Sequence, residues 1–177
     1  MRAVMGIDQS YTSTGIFIAF NDEDEFAGKI ITTSPDKENP LQMFDRSRYV
    51  ADQIVELIHE HNVGRVVIEG IAMGNIKGNS NRDLAGLQFT IINAIKLAYE
   101  DGVEIEVVSP TMLKKFATGK GTASKVEMFE ATPMGIQEGL QSQFKKSAGL
   151  YDVVDAYWLC MFGIKELKHF EFYDDYD

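Results

Sequence analysis

The sequence predicts an α/β domain built on a five-stranded mixed sheet flanked by helices. Three observations carry this expectation. Three β-type segments open the chain, strand and helix alternate after them, and no internal repeat or low-complexity linker divides it. The chain has 177 residues, 45% apolar and 25% charged. That is enough to bury one core and too short for two large domains about a cleft. A single domain is expected over residues 1–168, followed by an acidic tail at 169–177.

Residues 2–8 and 15–20 are rich in Val, Ile and Phe and read as strands, with the turn 9–14 between them. A third strand is expected at 26–32, after the acidic turn 22–25. Residues 41–61 follow helical spacing, with Phe44, Ala51, Ile54, Val55 and Ile58 on one face. Gly64 is expected to end that helix, and 65–69 reads as a short, fully buried strand. After a Gly/Asn-rich loop at 74–81, Asp83 is expected to cap a helix running to Glu100. Its stripe of Leu84, Leu87, Ile91 and Ile95 leaves Phe89, Ile92 and Tyr99 on other sides. Two apolar faces are more than one sheet covers, which fits either a dimer helix or a central core helix. Residues 103–108 make the fifth strand, Pro110 and Ala123 each open a short helix, and 150–167 is a strongly apolar helix. The stretch 133–149 receives no role.

Composition excludes some classes. No apolar run approaches the ~18 residues of a membrane span, and the N-terminus leads into a strand, not a signal peptide. The single cysteine, Cys160, rules out an internal disulfide and fits a reducing, cytoplasmic setting. With 17 basic and 27 acidic residues the net charge is −10, which taken globally argues against nucleic acid as a ligand. The distribution is uneven, however. Asp22, Glu23, Asp24 and Glu25 and the tail acids Glu171, Asp174, Asp175 and Asp177 hold much of the negative charge. Between Ser109 and Val126 stand Lys114, Lys115, Lys120 and Lys125 and no acid, so a local basic patch exists.

Four acids stand among apolar neighbours. Asp8 closes the first strand, Glu69 closes the fourth, and Asp152 and Asp155 lie three apart on one face of the last helix. A strand-end Asp is commonly a turn residue, and an i,i+3 acidic pair is commonly a solvated face. Here Val153, Val154, Tyr157, Trp158, Leu159 and Phe162 leave little polar surface for such a pair. Strand ends of an open α/β sheet line one crevice, where Asp8 and Glu69 can meet. A last helix packed across that end would bring all four acids together. Like charges ~4 Å apart repel by about 4 kcal/mol at an effective dielectric near 20. Such a cluster needs protons or cations, and an all-oxygen ligand set suits Mg²⁺ or Mn²⁺, two ions of which would activate a water and stabilise a leaving oxygen.

Gly6-Ile7-Asp8 with the Thr12–Gly15 turn, Ile68-Glu69, the segment 110–125 and Asp152-x-x-Asp155-Ala156 together resemble the RuvC family of Holliday-junction resolvases. The matches run in order from about residue 2 to 163, and 113–125 is the most specific stretch. The resemblance implies a ribonuclease-H-like fold and a homodimer joined through the helix 84–100. It also implies a site in which Asp8, Glu69, Asp152 and Asp155 hold Mg²⁺, Asp8 bridging the ions. Lys114 and Lys125 match active-site-side lysines of that family. By the same resemblance Lys114, Lys115, Lys120 and Lys125 would contact phosphates, Lys125 or Lys114 would stabilise developing charge, and the loop carrying Lys77 and Arg82 would approach the junction centre. The implied activity is nicking of four-way junctions and other branched DNA.

Three departures mark this chain. It is acidic where bacterial members are usually basic, Ala72-Met73 stands where an aromatic wedge is common, and the stretch from Lys125 to Asp152 is longer. These features look like a divergent, phage-type member, acting in the cytoplasm of a host cell. The main rival is a sugar-kinase or actin-like nucleotide-binding domain, whose phosphate hairpin the run 7–15 also resembles, although no second such hairpin occurs. A catalytically inactive DNA-binding domain of the same fold is the other, against which the presence of all four acids counts. A P-loop at 118–122 fails because Gly121 follows the lysine. His59 and His61 do not share a helix face, and Cys160 reads as core. Lys145 and Lys146 fit either a second phosphate contact or a solvated turn.

Overall fold

Five strands, β1 (Ala3–Asp8), β2 (Ser13–Ala19), β3 (Phe26–Thr32), β4 (Val63–Glu69) and β5 (Glu104–Val108), form one sheet in the order β3-β2-β1-β4-β5. The protein is described by a computed structural model covering residues 2–20, 26–71, 80–146 and 149–174. β1 pairs antiparallel with β2, and β2 with β3, while β1–β4 and β4–β5 are parallel. The expected mixed sheet is therefore present, its hairpin half preceding its crossover half.

Alternation along the central strands divides the interior in two. Ala3, Met5, Ile7, Ile16, Ile18, Val66 and Ile68 point to the side covered by α1 (Gln42–Glu60) and α2 (Ser80–Tyr99). Val4, Phe17, Ala19 and Val67 point to α6 (Leu150–Asp174) and to the short helices α3 (Pro110–Thr118), α4 (Lys125–Ala131) and α5 (Met134–Gln143). β4 is buried on both faces from Arg65 to Ile68, as a central parallel strand should be.

Several expectations need correcting. α1 ends at Glu60 and the chain reverses at Asn62, whose φ is 48°, so Gly64 does not end the helix but lies inside β4. Gly64 is needed there because Arg2 packs over it: a Cβ at 64 would stand 2.7 Å from the Cβ of Arg2. Phe44, assigned to the buried face of α1, is 60% exposed; Ala51, Ile54 and Ile58 are buried there as expected, joined by Val50 and Leu57. Asp83 lies in the first turn of α2, not at its cap. Ile92 and Tyr99 are not on a separate face: both pack on the core under α1, and the Tyr99 hydroxyl donates to the carbonyl of Val55 at 3.0 Å. Phe89 alone of the three points outward, joined by Leu97. α5 was not foreseen, and α6 continues beyond Leu167 to Asp174, into the stretch read as a tail.

Candidate active site

Parallel pairing of β1 with β4 sets Ile7 opposite Ile68, so the next residues, Asp8 and Glu69, leave the same edge of the sheet side by side. α6 crosses that edge on the other face. Its close approach depends on two glycines that sequence reading did not single out as spacers. A Cβ on Gly6 would lie 1.9 Å from the carbonyl oxygen of Ala156, and one on Gly15 2.2 Å from that of Asp152. Backbone packs on backbone at both points, which carries the first two turns of α6, with Asp152 and Asp155, to the strand ends.

The resulting electrostatics are those of a crowded acid cluster. Burial, then the charges of Glu69, Asp155 and Asp152, push the Asp8 carboxyl well above the ordinary range, against a smaller opposing pull from Lys125. Burial raises Glu69 too, although a hydrogen bond with Asp8 and the charges of Lys125 and Lys114 oppose it. The two carboxyls are thus coupled, and both are held above their ordinary range. Asp155 is pushed up to about 7, first by burial, with Lys125 and Lys114 pulling down and Glu69 and Asp152 pushing up.

Lys125 is the cation that answers this cluster. Its ammonium stands 3.1 Å from Asp152 Oδ1 and 4.0 Å from Asp155 Oδ2. Burial would lower it, yet the hydrogen bond to Asp152 and the charges of Asp152, Asp155 and Asp8 prevail and raise it. Its position is set by a capping box at the start of α4: Ser124 accepts from the Glu127 amide, and the Glu127 carboxylate accepts from the Ser124 amide at 2.8 Å. The Ser124-x-x-Glu127 spacing is the sequence signal for this box. Across the cluster Ser13 Oγ donates to Asp152 Oδ2 at 2.7 Å, fixing the second oxygen of that carboxylate.

Two amides brace Glu69 from behind. The Gln9 and Gln88 side chains each donate to its carbonyl oxygen at 3.0 Å, so β1, β4 and α2 are tied at one point. Neither glutamine carried a signal that isolates it in the sequence.

The lysine block divides. Lys114 is half-buried and its charge acts on Glu69 and Asp155, so Lys114 and Lys125 belong to the site. Lys115 is exposed, and Lys120 lies away from the carboxylates with its ammonium 3.4 Å from Glu127. Arg82 is exposed at the start of α2, 3.6 Å from Asp83. Lys77 and the Ala72-Met73 pair lie outside the described residues.

Among the described residues no three Asp, Glu, His or Cys side chains converge closely enough to hold an ion as they are placed. The four carboxylates share one electric field, with an ammonium at its margin, and not yet one ligand sphere. Their chemistry nevertheless fits a hard divalent ion: every donor is a carboxylate oxygen, and burial with the neighbouring acids disfavours the charged form of Asp8 where no cation answers it. No helix among the described residues is long and apolar enough to cross a membrane.

No protein-family model matches the chain, and no curated protein matches it by sequence. Solved structures do. The RuvC structure of Thermus thermophilus aligns with a TM-score of 0.69 at 20% identity, covering 94% of this chain and 96% of that one. T. thermophilus RuvC in complex with a Holliday junction substrate gives 0.63 at 23% identity, over 90% and 92% of the two chains. The yeast mitochondrial Holliday junction resolvase gives 0.64 at 14% identity, over 96% of this chain and 82% of that one. At these identities the likeness speaks for architecture: the chain has the ribonuclease-H-like α/β fold of RuvC and other Holliday junction resolvases.

Proposed function

We propose that the protein is a Mg²⁺-dependent, structure-selective endodeoxyribonuclease that resolves four-way DNA junctions, with other branched DNA within its range. The observation that carries this reading is the acid cluster. Asp8 from β1, Glu69 from β4 and Asp152 and Asp155 from α6 lie near enough at one end of the sheet to act on one another's charge, with Lys125 and Lys114 as the cations that act on them. Four crowded carboxylates weaken the fold unless they do something; binding divalent cations is what this donor set does best. Proteins of known structure with the same fold are named as Holliday junction resolvases, one of them solved with its junction substrate.

In this reading Asp8, Glu69, Asp152 and Asp155 would hold the metal, Mg²⁺ with Mn²⁺ able to substitute. The metal supplies an activated water and a counter-charge for the leaving oxygen. The chain's own groups do the rest. Ser13 keeps Asp152 turned toward the cluster, and Gln9 with Gln88 holds the end of β4 still. Lys125 and Lys114 hold the scissile phosphate and steady the charge that develops on it. Lys115, Lys120, Arg82 and Lys77 contact neighbouring phosphates. Two copies join through the outward side of α2, where Phe89 is 73% and Leu97 77% exposed, and each supplies one site for paired nicks. Such an enzyme works in the cytoplasm, a host's if the chain is phage-borne.

Labelled four-way junction, fork and linear duplex, each incubated with Mg²⁺ and with chelator, test this directly. Nicking of the junction in Mg²⁺ alone is expected. Cleavage of none of them, alongside ATP-dependent phosphorylation of a small molecule, would replace the nuclease by the kinase-like reading.

A further inference from the structure

A groove of about 450 Å³ runs alongside the carboxylates, between the β2–β3 side of the sheet and the segment that enters α6. Its lining includes Thr12, Ser13, Thr32, Lys125, Lys146 and Tyr151, along with Asp152 of the acid cluster and the apolar Ile30. Its size falls in the ~300–1,000 Å³ range of small-ligand sites. The lining combines two ammonium groups, four hydroxyls and, on Tyr151, one aromatic ring, a set that matches the phosphate, sugar and base of a nucleotide.

The outer wall is built for its place. Gly149 has φ 88°, and a Cβ there would stand 2.3 Å from Ile30 Cδ1 and 3.1 Å from Ser13 Oγ. Only glycine allows the chain to press on β3 at this point with that backbone, and the press sets Lys146 and Tyr151 on the rim. Tyr151 is held edge-on by Phe129, with centroids 6.4 Å apart and planes at 89°. Among the described residues no acid pairs with Lys146, in contrast to Lys120 and Lys125. Among the described residues its exposed charge is thus open to an anion.

Resting on the nuclease reading, we infer that this groove receives the nucleotide adjoining the cleaved phosphodiester, its base against Tyr151 and its outer phosphate on Lys146. Lys125 and Asp152 belong both to the groove and to the acid cluster, so the two sites are continuous, and a strand seated at one enters the other. The segment before α6, which had no role on sequence alone, becomes a substrate wall. Lys146 thereby acts as a phosphate contact and not as a solvated turn residue.

The test measures binding and cleavage separately. Affinity for a labelled four-way junction is measured in chelator across a salt series, for wild type, Lys146→Ala and Lys146→Arg. Cleavage by wild type and by Tyr151→Leu is then mapped on junctions with an abasic residue placed on either side of the normal cut. Lys146→Ala should bind about tenfold more weakly with a salt slope smaller by about 0.9, and Lys146→Arg should restore both. An abasic residue on one side of the cut, and not the other, should slow wild type about tenfold, and Tyr151→Leu should lose that difference. Wild type that cuts the normal junction, yet is indifferent to abasic residues on both sides while Lys146→Ala keeps the full slope, overturns the groove and leaves the nuclease reading standing. Wild type that neither binds nor cuts the junction overturns both.

Discussion

Asp155→Asn separates the chemistry of the acid cluster from its effect on the fold. The side chain of Asp155 is 13% exposed and its pKa is pushed from 3.8 to about 7. A rise of roughly 3 units corresponds to about 4 kcal/mol against keeping the ionised carboxylate in the metal-free fold. The sign follows from the raised value. The stability Asp155 contributes is fully present below pH ~4, where it is protonated folded and unfolded alike, and is lost as pH rises through about 7. Asparagine keeps the volume and removes the charge. The attraction of Lys125, 4.0 Å away, is already contained in that raised value. Imperfect hydrogen bonding of the new amide costs about 1 kcal/mol. The net expectation at pH 8 in chelator is a gain of about 3 kcal/mol, or about 6–12 °C in melting temperature. At pH 4 the two proteins should melt within a degree or two of each other. Mg²⁺ should raise the melting temperature of wild type more than that of the variant, because stabilisation by a ligand is mass action on the folded state. The variant should bind junctions and fail to cut them. If Asp155→Asn melts well below wild type at pH 8 in chelator and still cuts, Asp155 is a structural helix residue and the cluster is not a metal site.

Three further outcomes follow from the same geometry. Lys114→Ala should lower both junction affinity in chelator and the salt slope, the latter by about 0.9, for every branched substrate alike; an unchanged slope would place the DNA on another face. Phe89→Glu with Leu97→Glu should give a folded monomer in light scattering that has lost paired nicking, whereas Ile92→Glu should destabilise the chain by about 2–4 kcal/mol in urea because Ile92 packs on the core. Gly15→Ala puts a methyl 2.2 Å from the carbonyl oxygen of Asp152, so cleavage should drop at least tenfold with a lower melting point; a fully active, equally stable variant would mean that α6 tolerates displacement.

Much of the fold was legible because burial leaves a pattern. The run 65–68 could only be a central strand, and Asp8 and Glu69 stood out as acids ending apolar segments. Asp152 and Asp155 were legible for the same reason, as charges in an otherwise apolar helix. What was missed depends on contacts between distant segments. α5 holds Gly135 and Gly139 and buries only Leu140, so its own residues barely announce a helix. Ile92 and Phe89 look alike in a periodicity count, and only the seat of α1 on α2 decides which is core. Gly6 and Gly15 read as ordinary strand glycines until α6 is laid on them. The tie from Gln9 and Gln88 to the Glu69 carbonyl joins residues about 60 and 19 positions away from it, a separation that no local pattern reports.

The central claim is that the four carboxylates form a metal-dependent nuclease centre for branched DNA. It is tested most directly by incubating a labelled four-way junction with wild type and with Glu69→Gln, in Mg²⁺ and in chelator, and mapping the nicks on both strand pairs. Wild type should give symmetrically placed nicks in Mg²⁺ and none in chelator, and Glu69→Gln should give none in either while still binding the junction. Nicking that persists in chelator, or that Glu69→Gln carries out as fast as wild type, would contradict the account.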